Sequence, residues 1–186
     1  MTVRVGPEGF GYRLRPVDRG DAADILRLRT DPELGRFLNP TTGRVEDQEQ
    51  WIEIQRDRTG DYYFVVETLH GRWEGLVGLY GIEGASGEWG RWILRRGSLA
   101  AAASVLLILR FGFDELGLER IYCRTLADNA MGVSFQDSCG YTSRSEYIDS
   151  ARRVFVEHSL VVSDWLSFRD ALSPIAGRVA RRSARL

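Results

Sequence analysis

Apolar residues alternate with arginine over Tyr12–Pro16, the pattern of a half-buried strand that Pro16 ends. Gly20-Asp21 opens a helix with Ala23, Ile25, Leu26 and Leu28 on its apolar face, and Asp31-Pro32 interrupts it. A polar loop at 39–43 leads to a second helix over 45–58, largely solvated apart from Trp51, Ile52 and Ile54. Strands follow over Tyr62–Thr68, 73–82 and 88–94, separated by Leu69-His70-Gly71 and Gly84-Ala85-Ser86-Gly87. An apolar helix spans 99–116, with Gly117 placed for a left-handed cap and Leu118 for the accompanying apolar contact. Arg120–Leu126 returns as a strand, Asp128-Asn129 caps a helix over Ala130–Cys139 that stops at Gly140, and strands over 141–147 and 152–163 complete the order. The predicted order is β-α-α-β-β-β-α-β-α-β-β, in one domain over 1–166 followed by a solvated basic tail over 167–186.

The chain has 186 residues, 44% of them hydrophobic, enough for one substantial core. A net charge of -1 provides no field to draw in nucleic acid or an anionic membrane, and neither partner is expected. The apolar run over 99–109 is too short to cross a bilayer, and residues 1–12 hold no apolar leader, so a soluble, cytoplasmic protein is expected. Cys123 and Cys139 lack a CxxC spacing or a paired histidine, so no metal is expected and both read as core fillers. All 25 basic residues are arginine, which fits the codon usage of a GC-rich genome.

The segment GEWGRWILRRGSLAAAA over 87–103 carries the candidate chemistry. A strand ends at Leu94, a loop with two arginines and Gly97 follows, and a helix starts at once. First-turn N–H groups of a helix have no internal partner and the helix dipole adds positive potential, so such a junction can cradle an anion such as pyrophosphate. Ser98 reads as its N-cap. The segment lacks GxxxxGK[ST] and GxGxxG, so it is neither a Walker loop nor a dinucleotide fingerprint. An ordinary strand-to-helix turn with two solvated arginines fits the same letters.

Six anchors in order resemble the GNAT superfamily of N-acetyltransferases, and most of all its ribosomal-protein N-terminal acetyltransferase branch and that branch's small-molecule relatives. They are YRLRP at 12–16, EQWIEIQRDR at 49–58, GLVGLYGI at 75–82, GEWGRWIL at 87–94, NAMGVSFQDSCGY at 129–141 and VFVEHSLVVSDW at 154–165. The resemblance implies an α/β (α+β) fold, a mixed, mostly antiparallel sheet of six to seven strands flanked by four helices. It also implies acetyl-CoA as acyl donor, with Ile93 and Leu94 polarising the thioester carbonyl. Amides of Arg95, Arg96, Gly97, Ser98, Leu99 and Ala100 would bind the pyrophosphate, and Asn129 the CoA arm. The family loop reads Arg/Gln-x-x-Gly-x-Gly/Ala, and here Ser98 stands at its fourth place.

In this family an amine attacks the thioester directly, so the enzyme positions the reactants and removes a proton. The resemblance makes Glu88 the base, and strand alternation sets it on one face with Gly90, Trp92 and Leu94, where partial desolvation would raise its pKa. A solvated strand-edge glutamate is the alternative. His158, on a strand face with Val154, Val156, Leu160 and Val162, is a second candidate base or a core histidine. His70 reads as surface. Gln136 stands where the family often has a tyrosine acid and has no dissociable proton, and Ser134 and Ser138 are poor substitutes. The expected activity is acetylation of a primary amine of a small metabolite: an amino sugar, a nucleotide-linked amino sugar or an antibiotic intermediate. Protein N-terminal acetylation and a non-catalytic acyl-CoA-binding module are the alternatives. The late strands could pair in a homodimer, as in many relatives.

Overall fold

The computed structural model describes residues 6–41 and 43–183, leaving out the side chains of 179–183. One sheet of eight strands organises the chain: β1 Glu8–Gly9, β2 Tyr12–Pro16, β3 Tyr62–Thr68, β4 Trp73–Glu83, β5 Ser86–Leu94, β6 Arg120–Leu126, β7 Ser143–Ile148 and β8 Val154–Val161. Their spatial order is β1-β2-β3-β4-β5-β6-β8-β7. Every neighbouring pair is antiparallel except β5 with β6. Five helices accompany it: α1 Ala22–Arg29, α2 Val45–Arg56, α3 Ala101–Arg110, α4 Ala130–Cys139 and α5 Trp165–Ser183. The class is the expected mixed, mostly antiparallel α/β fold, with one more strand and one more helix than the expected upper counts. The extra strand is β1, joined to β2 by a tight turn at Phe10 (φ 55°) and Gly11 (φ 81°).

Both faces of the sheet are covered, which explains why β3 reads as a nearly continuous apolar run. Phe64 and Val66 face α3, in a core with Val105, Leu106, Phe111 and Leu160. Tyr63 and Val65 face α1 and α2, in a second cluster with Ile25, Leu28, Ile52 and Ile93. Helix α3 is apolar on all sides because it lies in the larger core, and eight of its residues are buried. It ends in a wide turn over Phe111–Glu115. There Gly112 lies so close to Ile121 that a Cβ would come within 2.4 Å of its side chain. Gly117 (φ 69°) ends the segment in the left-handed region, with Leu118 buried as expected.

The stretch expected as a solvated tail from 167 is instead most of α5. Trp165, Phe168, Leu172 and Ala176 follow one another at helical spacing and are buried against the α3 core. Trp165 stacks on Phe113 at 5.5 Å, and its Nε1 donates to Asp114 at 2.8 Å. Side chains beyond Arg178 in the arginine-rich end lie outside the described residues. Phe168 is 3% exposed, so Phe168→Ala should cost about 3 kcal/mol of stability in urea denaturation. Leu166→Ala, at 58% exposed, should stay within about 0.5 kcal/mol. Equal, small effects of both would restore the tail.

Candidate active site

The site forms where two parallel strands part. β5 and β6 pair only at Ser86↔Arg120, Gly87↔Ile121 and Glu88↔Tyr122. Beyond that point β5 runs on to Leu94 and β6 to Leu126 with no further pairing between them. On the α3 face, Trp89 lies edge-on to Trp92, whose ring stacks on Phe135 of α4 at 5.1 Å. Trp89 Nε1 donates to the Tyr141 hydroxyl and Trp92 Nε1 to Ser104 Oγ.

A bulge in β5 divides the side chains between the two faces. Leu76 pairs with Ile93 but Gly78 with Gly90, so Arg91 and Trp92 together oppose Val77, and Arg91 has φ 49°. The bulge corrects the expected alternation. Glu88 shares its face with Gly90, Arg91 and Ile93, while Trp92 and Leu94 turn to the α3 side. A Cβ at Gly90 would come within 2.4 Å of the Tyr80 hydroxyl, so a larger residue there would push Tyr80 off Glu88.

Glu88, Gly90 and Arg91 open onto a cleft of about 670 Å³ between the α1–α2 side of the sheet and the β7–β8 hairpin. The Glu88 side chain is 18% exposed, accepts a hydrogen bond from Tyr80 Oη at 3.3 Å and pairs with Arg124 at 3.3 Å. Burial pushes its carboxyl above the ordinary value, against the opposing pull of Arg124. Burial likewise raises the Tyr80 phenol, which stays a hydrogen-bond donor. Arg91 makes a two-pronged pair with Asp61 and lies 4.3 Å over the Tyr80 ring.

The second candidate base lies elsewhere. Glu157 reaches to the cleft side, onto Arg124, so its neighbour His158 faces α4. There His158 Nε2 meets Asp137 Oδ1 at 2.8 Å and its ring lies 5.6 Å from that of Tyr141. Glu88 and His158 therefore occupy opposite faces of the sheet. Gln136 is buried, with Oε1 unpartnered, and Cys123 and Cys139 are buried thiols pushed up by burial, Cys139 to about 12.

The loop after β5 departs from expectation in its amides. Arg95 N donates to Glu74 O, Ser98 N to Arg95 O, and Ala100 N to Ser98 Oγ. Ser98 thus closes the turn rather than capping the helix, whose N-cap is Ala100. The amides left for a ligand are Arg96, Gly97 and Leu99, together with Ala101, Ala102 and Ala103, since the first helical bond runs from Ser104 N to Ala100 O. Gly97 (φ 72°) has open space around its Cα. Arg95 is held by the fully buried Glu74 at 2.8 Å, and Arg96 pairs with Asp31 and Glu33 of the α1–α2 connection. Asn129 caps α4, accepting from Gly132 N at 3.1 Å.

A family model described as an acetyltransferase (GNAT) domain matches residues 12–142. The chain belongs to the GNAT family. This GNAT chain is an acyl-CoA-dependent N-acetyltransferase; no finding supports the ribosomal-protein branch in particular. A comparison with curated proteins gives no match. Among solved structures, the fold is similar to apo FdhC, described as a nucleotide-linked sugar GNAT. Its TM-score is 0.79 at 24% identity, over 94% of this chain and 100% of that one. It is also similar to spermidine N-acetyltransferase from Vibrio cholerae in complex with CoA and spermine, with TM-score 0.73 and 22% identity over 85% of this chain and 99% of that one. At these identities the likeness is one of fold.

The raised carboxyl has a sign that stability can test. A group whose folded pKa lies above its unfolded value adds stability below the unfolded value and loses it as pH rises through the folded one. The melting temperature of the wild type relative to Glu88→Gln should therefore fall from below pH 4.5 upward and level off once Glu88 is ionised. A pH-independent difference would mean that Glu88 titrates as in the unfolded chain.

Proposed function

We propose that the enzyme acetylates the primary amine of a small metabolite, which enters the cleft and attacks the thioester of acetyl-CoA directly, with Glu88 accepting the amine's proton itself or through a water. The observation that carries this is the Glu88 carboxylate. It lies half-buried at the wall of an open cleft, at the last paired residue before β5 and β6 part. Its raised pKa makes it a better base than a solvated glutamate, while Arg124 opposes the rise and favours the ionised form. Tyr80 fixes one carboxylate oxygen, leaving the other between Arg124 and the cleft.

Bound acetyl-CoA supplies an activated acyl group and a thiolate leaving group. The loop amides of Arg96, Gly97 and Leu99 and the first amides of α3 hold its pyrophosphate, and Asn129 the arm. Beyond Glu88, β5 backbone donors that point away from β4 have no partner on β6, and those around the bulge and at Leu94 would polarise the thioester carbonyl. Arg95 N donates to Glu74 O, so alternation turns the Ile93 N–H to Leu76 and the Leu94 N–H away from β4 to the open side, which supports Leu94 in the expected role. With Gln136 buried and without a dissociable proton, solvent protonates the thiolate. The small-molecule acceptor is supported by the concave cleft and by the printed substrates of the structural neighbours, sugars in one and spermidine in the other.

Free-thiol release with a panel of amino sugars and other small amines tests the transfer. Glu88→Gln should lower kcat by about 100-fold or more with little change in the KM for acetyl-CoA. The acidic limb of kcat/KM should lie above the ordinary glutamate range, and Arg124→Gln should move it to higher pH, because removing the cation removes the main influence that lowers the Glu88 pKa. An unchanged limb in Glu88→Gln would assign the base to another group.

A further inference from the structure

Resting on the reading of the cleft as the acceptor site, we infer that the acceptor carries a phosphate-type anion, such as the diphosphate of a nucleotide-linked amino sugar. That anion is held by Arg29 and Arg58 while the amine is presented to Glu88. The lining charges point this way. Arg29, Arg58, Arg91, Arg124 and Arg153 face the cleft, against two carboxylates, Asp47 and Glu88.

Most of these guanidinium groups are already matched. Arg91 takes both oxygens of Asp61, Arg124 lies between Glu88 and Glu157, and Arg153 pairs with Asp149. Arg58 reaches only the same Asp61, at 4.0 Å, after Arg91 has engaged it. Arg29 has no carboxylate partner among the described residues. Its Nε donates to Thr41 Oγ1 and its NH2 to the Asn39 carbonyl, both at 2.9 Å and both neutral. Thr41 and Asn39 also line the cleft, so these bonds fix the guanidinium in the cleft wall. The surplus positive charge therefore belongs to the end of α1 and the residues just after α2. A guanidinium presents a planar fork of donors that matches phosphate oxygens.

The remaining walls suit a ring-bearing ligand. Phe37, Trp51, Tyr80, Tyr147 and Phe155 give the cleft aromatic walls; guanidinium groups of Arg36, Arg91, Arg124 and Arg153 already lie over these rings, which leaves their edges and free faces to meet a sugar or a base. A polyamine, cationic at each nitrogen, needs carboxylates instead. Asp47 is already paired with Arg44 at 3.5 Å, which leaves Glu88 as the one lining carboxylate free of a partner outside the cleft. The chemistry of the spermidine-acetylating neighbour therefore does not carry over to this cleft.

Titration calorimetry on the full chain saturated with CoA, so that the loop after β5 is filled, tests this with UDP, dTDP and GDP, each beside its nucleoside, and with spermidine. At least one diphosphate should bind about tenfold or more tighter than its nucleoside. Arg29→Gln should weaken it about tenfold, Arg29→Lys should restore part of the loss, and Arg58→Gln should weaken it with the thermal midpoint unchanged. Diphosphate and nucleoside binding alike, no diphosphate binding, or full affinity in both Gln variants would overturn the inference. Thiol release separates it from the transfer reading. Turnover of spermidine sustains transfer at Glu88 and removes the anion site. Diphosphate binding without thiol release from any amine upholds the anion site and removes the transfer.

Discussion

The structure depends on one interrupted pairing. Among the described strands, β5 and β6 are the sole parallel neighbours, and their ladder stops at Glu88↔Tyr122. A central strand whose edge loses its partner leaves backbone donors and acceptors that must be satisfied in some other way. Here the opening has different contents on its two sides. Toward α3 and α4 it is filled by indole and phenyl rings, two of which place their N–H groups on Tyr141 and Ser104. Toward α1 and α2 it stays open as the cleft. Glu88 is the last residue before the separation, so its carboxylate is both fixed by the ladder and exposed to whatever enters.

The bulge at Arg91 makes the two sides chemically different. One extra residue in β5 sends Trp92 to the aromatic side and Ile93 to the α1–α2 core, and it swings Arg91 into the cleft wall. Without it, strict alternation would place Trp92 beside Glu88 and fill the cleft with an indole. Asp61 and the rings of Trp51, Tyr63 and Tyr80 hold the Arg91 guanidinium once it is there. The positive φ of Arg91 is a local strain that these contacts offset.

Much of this was legible in the chain before folding. The order of elements, the Asn129 cap, the glycine stop at Gly140 and the Gly117 turn follow from local rules of spacing and capping, and the structure has each of them. What local rules missed is non-local. The bulge is set by the register of β5 against β4 and leaves no mark in GEWGRWIL beyond Gly90. The turn around Ser98 depends on Glu74, 24 positions upstream, which ties down Arg95. Helix α5 did carry a signal, the 165/168/172/176 spacing, but Pro174, Gly177 and the arginines around them obscured it. His158 shares its face with buried Val156 and Leu160, whereas Val154 is exposed and Val162 lies beyond β8; that face looks toward α4, and only the pairing with β6 decides it.

A cleft rich in guanidinium groups is an unusual host for an amine, and the two demands on it are compatible for a physical reason. With Arg91 and Arg124 matched by carboxylates, the unmatched charge of Arg29 and Arg58 disfavours an ammonium in the cleft, so an acceptor nitrogen entering it gives up its proton more readily than it does in water. That is what direct attack on a thioester requires, since only the free amine has the lone pair. The same field would repel the acceptor if the amine were its sole charged group. In the proposed complex, an anion elsewhere on the molecule, engaging Arg29 and Arg58, would supply the affinity that offsets this repulsion and would be unchanged as the reaction proceeds. In the proposed transfer, Glu88 then has a restricted task. Its carboxylate receives a proton that the surroundings have already loosened, and burial keeps it basic enough to accept.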